Sequence, residues 1–159
     1  MSRSFDVCIR GDGVVGHALA LLLARERLRV AMVVRPPASD APEKAPADVR
    51  AYALNIASRQ LLETLRVWPE PVFATPVLEM QVWGDRGGKL DFNARSLPRN
   101  TASDAPGQAL AWIVDVPELE QQLRQATRYQ PHVEIVHEVR PAALTVICEG
   151  RKSSYRYWA

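Results

Sequence analysis

Phe5-Asp6-Val7-Cys8-Ile9-Arg10-Gly11-Asp12-Gly13-Val14-Val15-Gly16 is the stretch on which the fold turns. Phe5 to Arg10 reads as a short apolar strand, and it gives way at once to a glycine-rich turn. Val14 to Arg25 then has the Ala and Leu composition of a helix, apolar nearly all round, which predicts a buried helix. Leu28 to Val34 is a second apolar run rich in valine. Together they predict a β-turn-α-β unit over residues 5–35. That is the setting in which a Gly-x-Gly-x-x-Gly turn has a physical meaning.

In that setting Gly11 permits a tight turn off the strand, and Gly13 lets the backbone approach a pyrophosphate. Gly16 lets the helix pack closely on the strand. The N–H groups and dipole at the helix start then favour negative charge. Gly11, Asp12, Gly13, Val14, Val15 and Gly16 are therefore the candidate dinucleotide-binding residues, against the plainer reading of a tight β-α turn. Two residues cut across the pattern. Asp12 places a carboxylate inside the turn, where it repels phosphate. An acidic residue is expected about 20 residues on, to hold the adenosine ribose. Arg35 stands there instead, followed by Pro36. Arginine cannot accept a hydrogen bond from a hydroxyl, but it suits a 2′-phosphate. The residues alone thus leave an NADP site open beside one for a non-phosphorylated ribose.

The rest of the chain is read outward from this unit. Arg35 to Asp48 holds four prolines and no periodicity, and reads as a loop. Asn55 to Leu65 is predicted helical, with Leu54, Ala57, Leu61, Leu62 and Leu65 along one face. Leu78 to Trp83 and Leu90 to Asn93 read as paired strands joined through Gly87-Gly88. After a polar loop, Arg95 to Gln108, come a strand at Ala111 to Val114 and a helix from about Pro117, with Leu119, Leu123 and Ala126 inward. Strands at Val133 to Val136 and Leu144 to Cys148 follow. The fold class is α/β, with a β-rich insertion.

The totals set bounds on function. At 159 residues the chain is about one domain long, 47% hydrophobic and 24% charged. A net charge of +2 without a basic run gives no argument for nucleic acid or an anionic membrane surface. No apolar stretch has the length of a membrane span, and the start shows no signal-peptide pattern. A cytoplasmic protein is expected, with Cys8 and Cys148 as reduced thiols on strands. No Cys/His cluster suggests a metal. His17, in the first turn of the first helix, reads as structural or as a neighbour of the phosphates. Ser58 and Ser153 carry no nucleophile-elbow pattern.

One further segment, Arg50-Ala51-Tyr52-Ala53-Leu54-Asn55-Ile56-Ala57-Ser58 running into Leu61-Leu62-x-x-Leu65-x-Val67-Trp68, is more specific. It resembles the ubiquinone-biosynthesis hydroxylases, FAD-dependent aromatic monooxygenases with an R-A-x-A-L…S…L-L-x-x-L-x-V-W pattern. Thr75-Pro76-Val77 through Gly87-Gly88, and Trp112-Ile113-Val114-Asp115 with Leu119 and Leu123, are similar to the family's next segments. The resemblance implies a Rossmann-like FAD/NAD(P)-binding domain with a β-hairpin insertion at 70–115, truncated relative to the family. It implies FAD on the Gly11–Gly16 turn, held weakly where Arg35 replaces the family's Glu. Arg50 and Ala51 would lie toward its phosphates. NAD(P)H would be co-substrate, O₂ the oxidant, and a polyprenyl phenol ring the acceptor of oxygen. Glu149-Gly150-Arg151-x-Ser153 is similar to a degenerate form of the family's D-G-x-x-S motif, and Pro117 stands where the family commonly has Arg.

The family continues past this point, so the chain is expected to be an N-terminal FAD-binding portion over 1–159, inactive by itself. It would self-associate or pair with a C-terminal partner chain, and a peripheral place at the inner membrane would suit the substrate class. Two rival readings stay open: a non-catalytic nucleotide-binding remnant or interaction module, and an NADP-binding reductase domain.

Overall fold

The computed structural model describes residues 5–34, 48–96 and 109–150. In chain order its elements are β1 (Phe5–Arg10), α1 (Val14–Arg25), β2 (Val30–Val33), β3 (Ala51–Leu54), α2 (Ile56–Thr64), β4 (Ala74–Val77), β5 (Glu79–Trp83), β6 (Lys89–Asn93), β7 (Ala111–Asp115), α3 (Val116–Arg128), β8 (Val133–Val136) and β9 (Ala142–Ile147). They form two compact units, Met1–Asp48 with Leu119–Ala159, and Val49–Glu118.

The first unit is a parallel four-stranded sheet in the order β8-β2-β1-β9. Val7 pairs with Val30 on one side and Leu144 on the other, and β2 pairs with β8 from Val30↔Val133 to Val33↔Val136. Strands this apolar need cover, and α1 supplies it on one face. Val7, Ile9, Ala20, Val30 and Met32 form the buried cluster there, with Leu19, Leu23 and Val146 packed against it. Cys8, Ala31 and Val136 are buried on the other face. Burying side chains the size of Ile9 or Met32 contributes about 1.5–3 kcal/mol each. α1 itself is only partly enclosed: Gly16, His17, Ala20, Leu21 and Ala24 are buried, whereas Val15 is 68% exposed.

α3 buries Val116, Leu119, Leu123 and Thr127, a stripe at steps of three, four and four residues. Ala126, expected inward, is half-buried, and the polar Thr127 holds the buried place beside it. The helix starts where Asp115 accepts a hydrogen bond from the Glu118 N–H at 2.9 Å, an N-cap that leaves Pro117 harmless in the first turn.

The second unit holds a three-stranded antiparallel sheet, β3-β7-β4, and the ribbon β5-β6. Neither β3 nor β4 is anticipated in the sequence. Ala51 to Leu54 carry no strand signal of their own, and they pair with Asp115 to Trp112. β4 contains Pro76, which signals against a strand; it is tolerated because β4 is an edge strand with only β7 as neighbour. The expected ribbon forms, Met80 opposite Phe92 and Val82 opposite Leu90.

α2 forms as expected, with Asn55 as its N-cap accepting from the Ser58 N–H at 2.9 Å. Its inward face differs from the expected one. Only Leu62 of the five predicted residues is buried, while Ala57 and Leu61 are exposed. Arg59 takes part of that inward face, its guanidinium lying over Trp112 at 4.6 Å and Trp68 at 5.4 Å. The two indoles meet edge to face at 6.2 Å. At these distances the guanidinium makes cation–π contacts with both indoles, so a charged residue shares the inward face with Leu62.

Candidate functional site

The strand order places the site. From β1 the chain moves to β2 and then to β8 on one side, while β9 joins β1 on the other. The order therefore reverses between β1 and β9, and ligands of open α/β sheets bind outside the carboxyl ends of strands at such a reversal. Gly11 leaves β1 at that point, and Cys148 and Glu149 leave β9 beside it.

The two ends are packed tightly. Gly11 has φ +118, and a Cβ on it would lie 2.5 Å from the Cys148 carbonyl oxygen and 2.9 Å from the Glu149 nitrogen. A Cβ on Gly16 would run into the Gly11 carbonyl oxygen. The Cys148 N–H donates to the Arg10 carbonyl at 2.7 Å, and the Arg10 guanidinium meets the Glu149 carboxylate at 2.7 Å. Burial pushes the Cys148 thiol pKa up, which disfavours the nucleophilic thiolate.

Gly13 is different in kind. Its φ of −84 and ψ of −177 suit any residue, and a Cβ built on it meets nothing within 4 Å. Gly13 is the N-cap of α1, no side chain caps the helix, and its first turn holds no acidic residue. The first helical bond is His17 N–H to the Gly13 carbonyl, so the N–H groups of Val14, Val15 and Gly16 have no intrahelical partner. An open face above donors of this kind fits a phosphate group. Asp12 is exposed at the lip of the turn and opposes it by charge.

Behind the turn sits His17, 3% exposed. Its Nδ1 lies 3.0 Å from Thr127 Oγ1, and Thr127 Oγ1 donates to the Leu123 carbonyl at 2.8 Å. Burial, helped by the Arg124 charge, lowers the imidazole pKa to about 4, although the Asp12 carboxylate and main chain pull the other way. His17 is therefore neutral near pH 7. Thr127 carries no motif, and only its place in the α3 stripe signals it.

The structure thus gathers Gly11, Asp12, Gly13, Val14, Val15 and Gly16 at one turn. Arg50 and Ala51 belong to the second unit: Arg50 is exposed, its carbonyl accepts from the Val116 N–H at 3.0 Å, and Ala51 opens β3. Arg35 and Ser153 lie outside the described residues. Glu149 is engaged with Arg10. Among the described residues no group of three or more His, Cys, Asp or Glu is placed to hold a metal, and no helix is long and apolar enough to cross a membrane.

No family model matches the chain. Its fold does match solved structures. PqsL, a probable FAD-dependent monooxygenase from Pseudomonas aeruginosa, superposes with a TM-score of 0.57 at 24% identity, over 84% of this chain and 33% of its own. The p-nitrophenol 4-monooxygenase PnpA from Pseudomonas putida DLL-E4 gives 0.55 at 18%, over 85% and 31%. The flavin-dependent monooxygenase PieE, solved with FAD and substrate, gives 0.52 at 18%, over 92% and 24%. At these identities the likeness is one of fold. The chain has the α/β, Rossmann-like architecture of FAD-binding monooxygenases and spans about a third or less of the length of these three.

Proposed function

We propose that this chain is the cofactor-binding part of a FAD-dependent monooxygenase of the ubiquinone-biosynthesis type. The observation that carries the reading is the Gly11–Gly16 turn. It stands at the reversal of strand order, with an uncapped helix start and open space over Gly13. The N–H groups of Val14, Val15 and Gly16 would receive the pyrophosphate, and Gly13 would let it approach. Arg50, by the family pattern, would add a guanidinium suited to phosphate by charge and geometry. When bound, FAD would supply the redox chemistry: with NAD(P)H as reductant and O₂ as oxidant, one oxygen atom would go to an aromatic ring, by the family pattern that of a polyprenyl phenol, and the other would leave as water. The protein's own work is to bind, orient and exclude water.

An absorption spectrum tests this. Purified chain mixed with excess FAD and gel-filtered should keep flavin bands near ~370 and ~450 nm. A colourless protein overturns the reading. Arg35 alone favours NADP as ligand instead; tighter binding of NADP than of FAD would move the reading to a reductase domain.

A further inference from the structure

We propose that Thr127, on α3, is a positioning residue for the cofactor turn and acts through His17. The proposal rests on the cofactor reading above.

Three hydrogen-bonding facts fix the arrangement. A threonine hydroxyl has one proton, and that of Thr127 is committed to the Leu123 carbonyl at 2.8 Å, one turn back in α3. Toward His17 Nδ1, at 3.0 Å, Thr127 Oγ1 can then only accept. A neutral imidazole has one N–H, so His17 carries it on Nδ1, and Nε2 is left as a bare lone pair. The Nε2 atom is buried and has no hydrogen-bond partner among the described residues.

The tautomer follows from a residue 110 positions away in sequence. His17 is the fourth residue of α1, one turn above Asp12 and bonded through its N–H to Gly13. A side chain at this place meets the residue just before the cap and sets the angle at which the chain enters the helix, as in hydrophobic staples. Here the staple is polar: the Asp12 main chain and carboxylate both act on the ring. A ring pinned from α3 would keep one fixed edge toward the Asp12–Gly13 backbone. The chain from the Leu123 carbonyl through Thr127 to His17 Nδ1 is made at both of its links, and only Nε2 lies outside it.

The test uses the whole chain in three forms: wild type, Thr127→Val and Thr127→Ser. Long-range ¹H–¹⁵N spectra of His17 report the tautomer without any cofactor, and flavin fluorescence gives the FAD affinity at a temperature where each form is folded. Wild type and Thr127→Ser should both show the Nδ1–H tautomer and equal affinity. Thr127→Val should lose that tautomer and bind FAD about tenfold more weakly, the order expected for one broken link in a coupled network. The Nε2–H tautomer in wild type overturns the proposal. So does Thr127→Val binding FAD as wild type does. A wild-type chain with the Nδ1–H tautomer that takes up no FAD overturns the cofactor reading and, with it, this role for Thr127. That outcome is distinct from failure of the tautomer assignment.

Discussion

His17 shows how burial converts into a pH dependence. Its folded pKa of about 4 lies below the ordinary value of 6.5, chiefly through desolvation. The unfolded chain therefore binds a proton as the pH falls through 6.5, while the folded chain resists until about 4. Stability from this group is complete above 6.5 and declines as pH falls between the two values. The shift amounts to on the order of 3 kcal/mol. Replacing His17 by Gln removes the titration, so the variant should lose less stability than wild type between pH 7 and 4.5 in urea melts. An equal loss in both proteins would contradict the burial argument. Residues of this sort are poorly legible in sequence. The glycines announce themselves by spacing, whereas Thr127 is one polar residue in an otherwise apolar helical stripe, and its partner is distant along the chain.

Elements were legible in proportion to their length and to how local their pairing is. β1, α1 and β2 follow each other with unbroken apolar runs, and their composition decides them. β3 and β4 are four residues each and exist because β7 lies between them. Nothing within Ala51–Leu54 or Ala74–Val77 marks a strand strongly, and Pro76 points the other way. α2 shows a subtler conflict. Its leucine stripe predicts one inward face, and the Trp68–Trp112 pair draws Arg59 inward instead. At α3 the expected helix forms, starting from a cap that Asp115 gives the Glu118 N–H. Asp115→Ala should cost about 1 kcal/mol, read as a lower urea midpoint, since the cap is a single hydrogen bond to an orphan donor. An unchanged midpoint would mean that the cap is replaced by water without loss.

For the whole molecule, the reversal of strand order matters most and was least visible. It depends on β9 joining β1 on the side away from β2, a pairing such as Val7 with Leu144, far apart along the chain, that periodicity cannot report. The second unit also carries apolar surface that composition does not reveal. Met80, Val82, Leu90 and Phe92 share one face of the ribbon and are 42%, 43%, 62% and 47% exposed. A contiguous apolar face of this kind favours association with another surface. The isolated chain should therefore self-associate in sedimentation velocity, and Val82→Glu should shift it toward monomer. A concentration-independent monomer in wild type would contradict that expectation.

If the Gly11–Gly16 turn receives a dinucleotide, Gly13 is the position at which a substitution separates binding from structure. Asp is at least as good an N-cap as Gly and favours the helix dipole, and a side chain there meets no protein atom within 4 Å of its Cβ. If the turn were only structural, Gly13→Asp would be neutral or an improvement in every respect. The measurement is FAD affinity and urea stability on the same two proteins, wild type and Gly13→Asp. Stability should be held, or raised by up to about 1 kcal/mol. FAD binding should be lost in the variant, because a carboxylate facing phosphate costs several kcal/mol. A variant that binds FAD as tightly as wild type would contradict it.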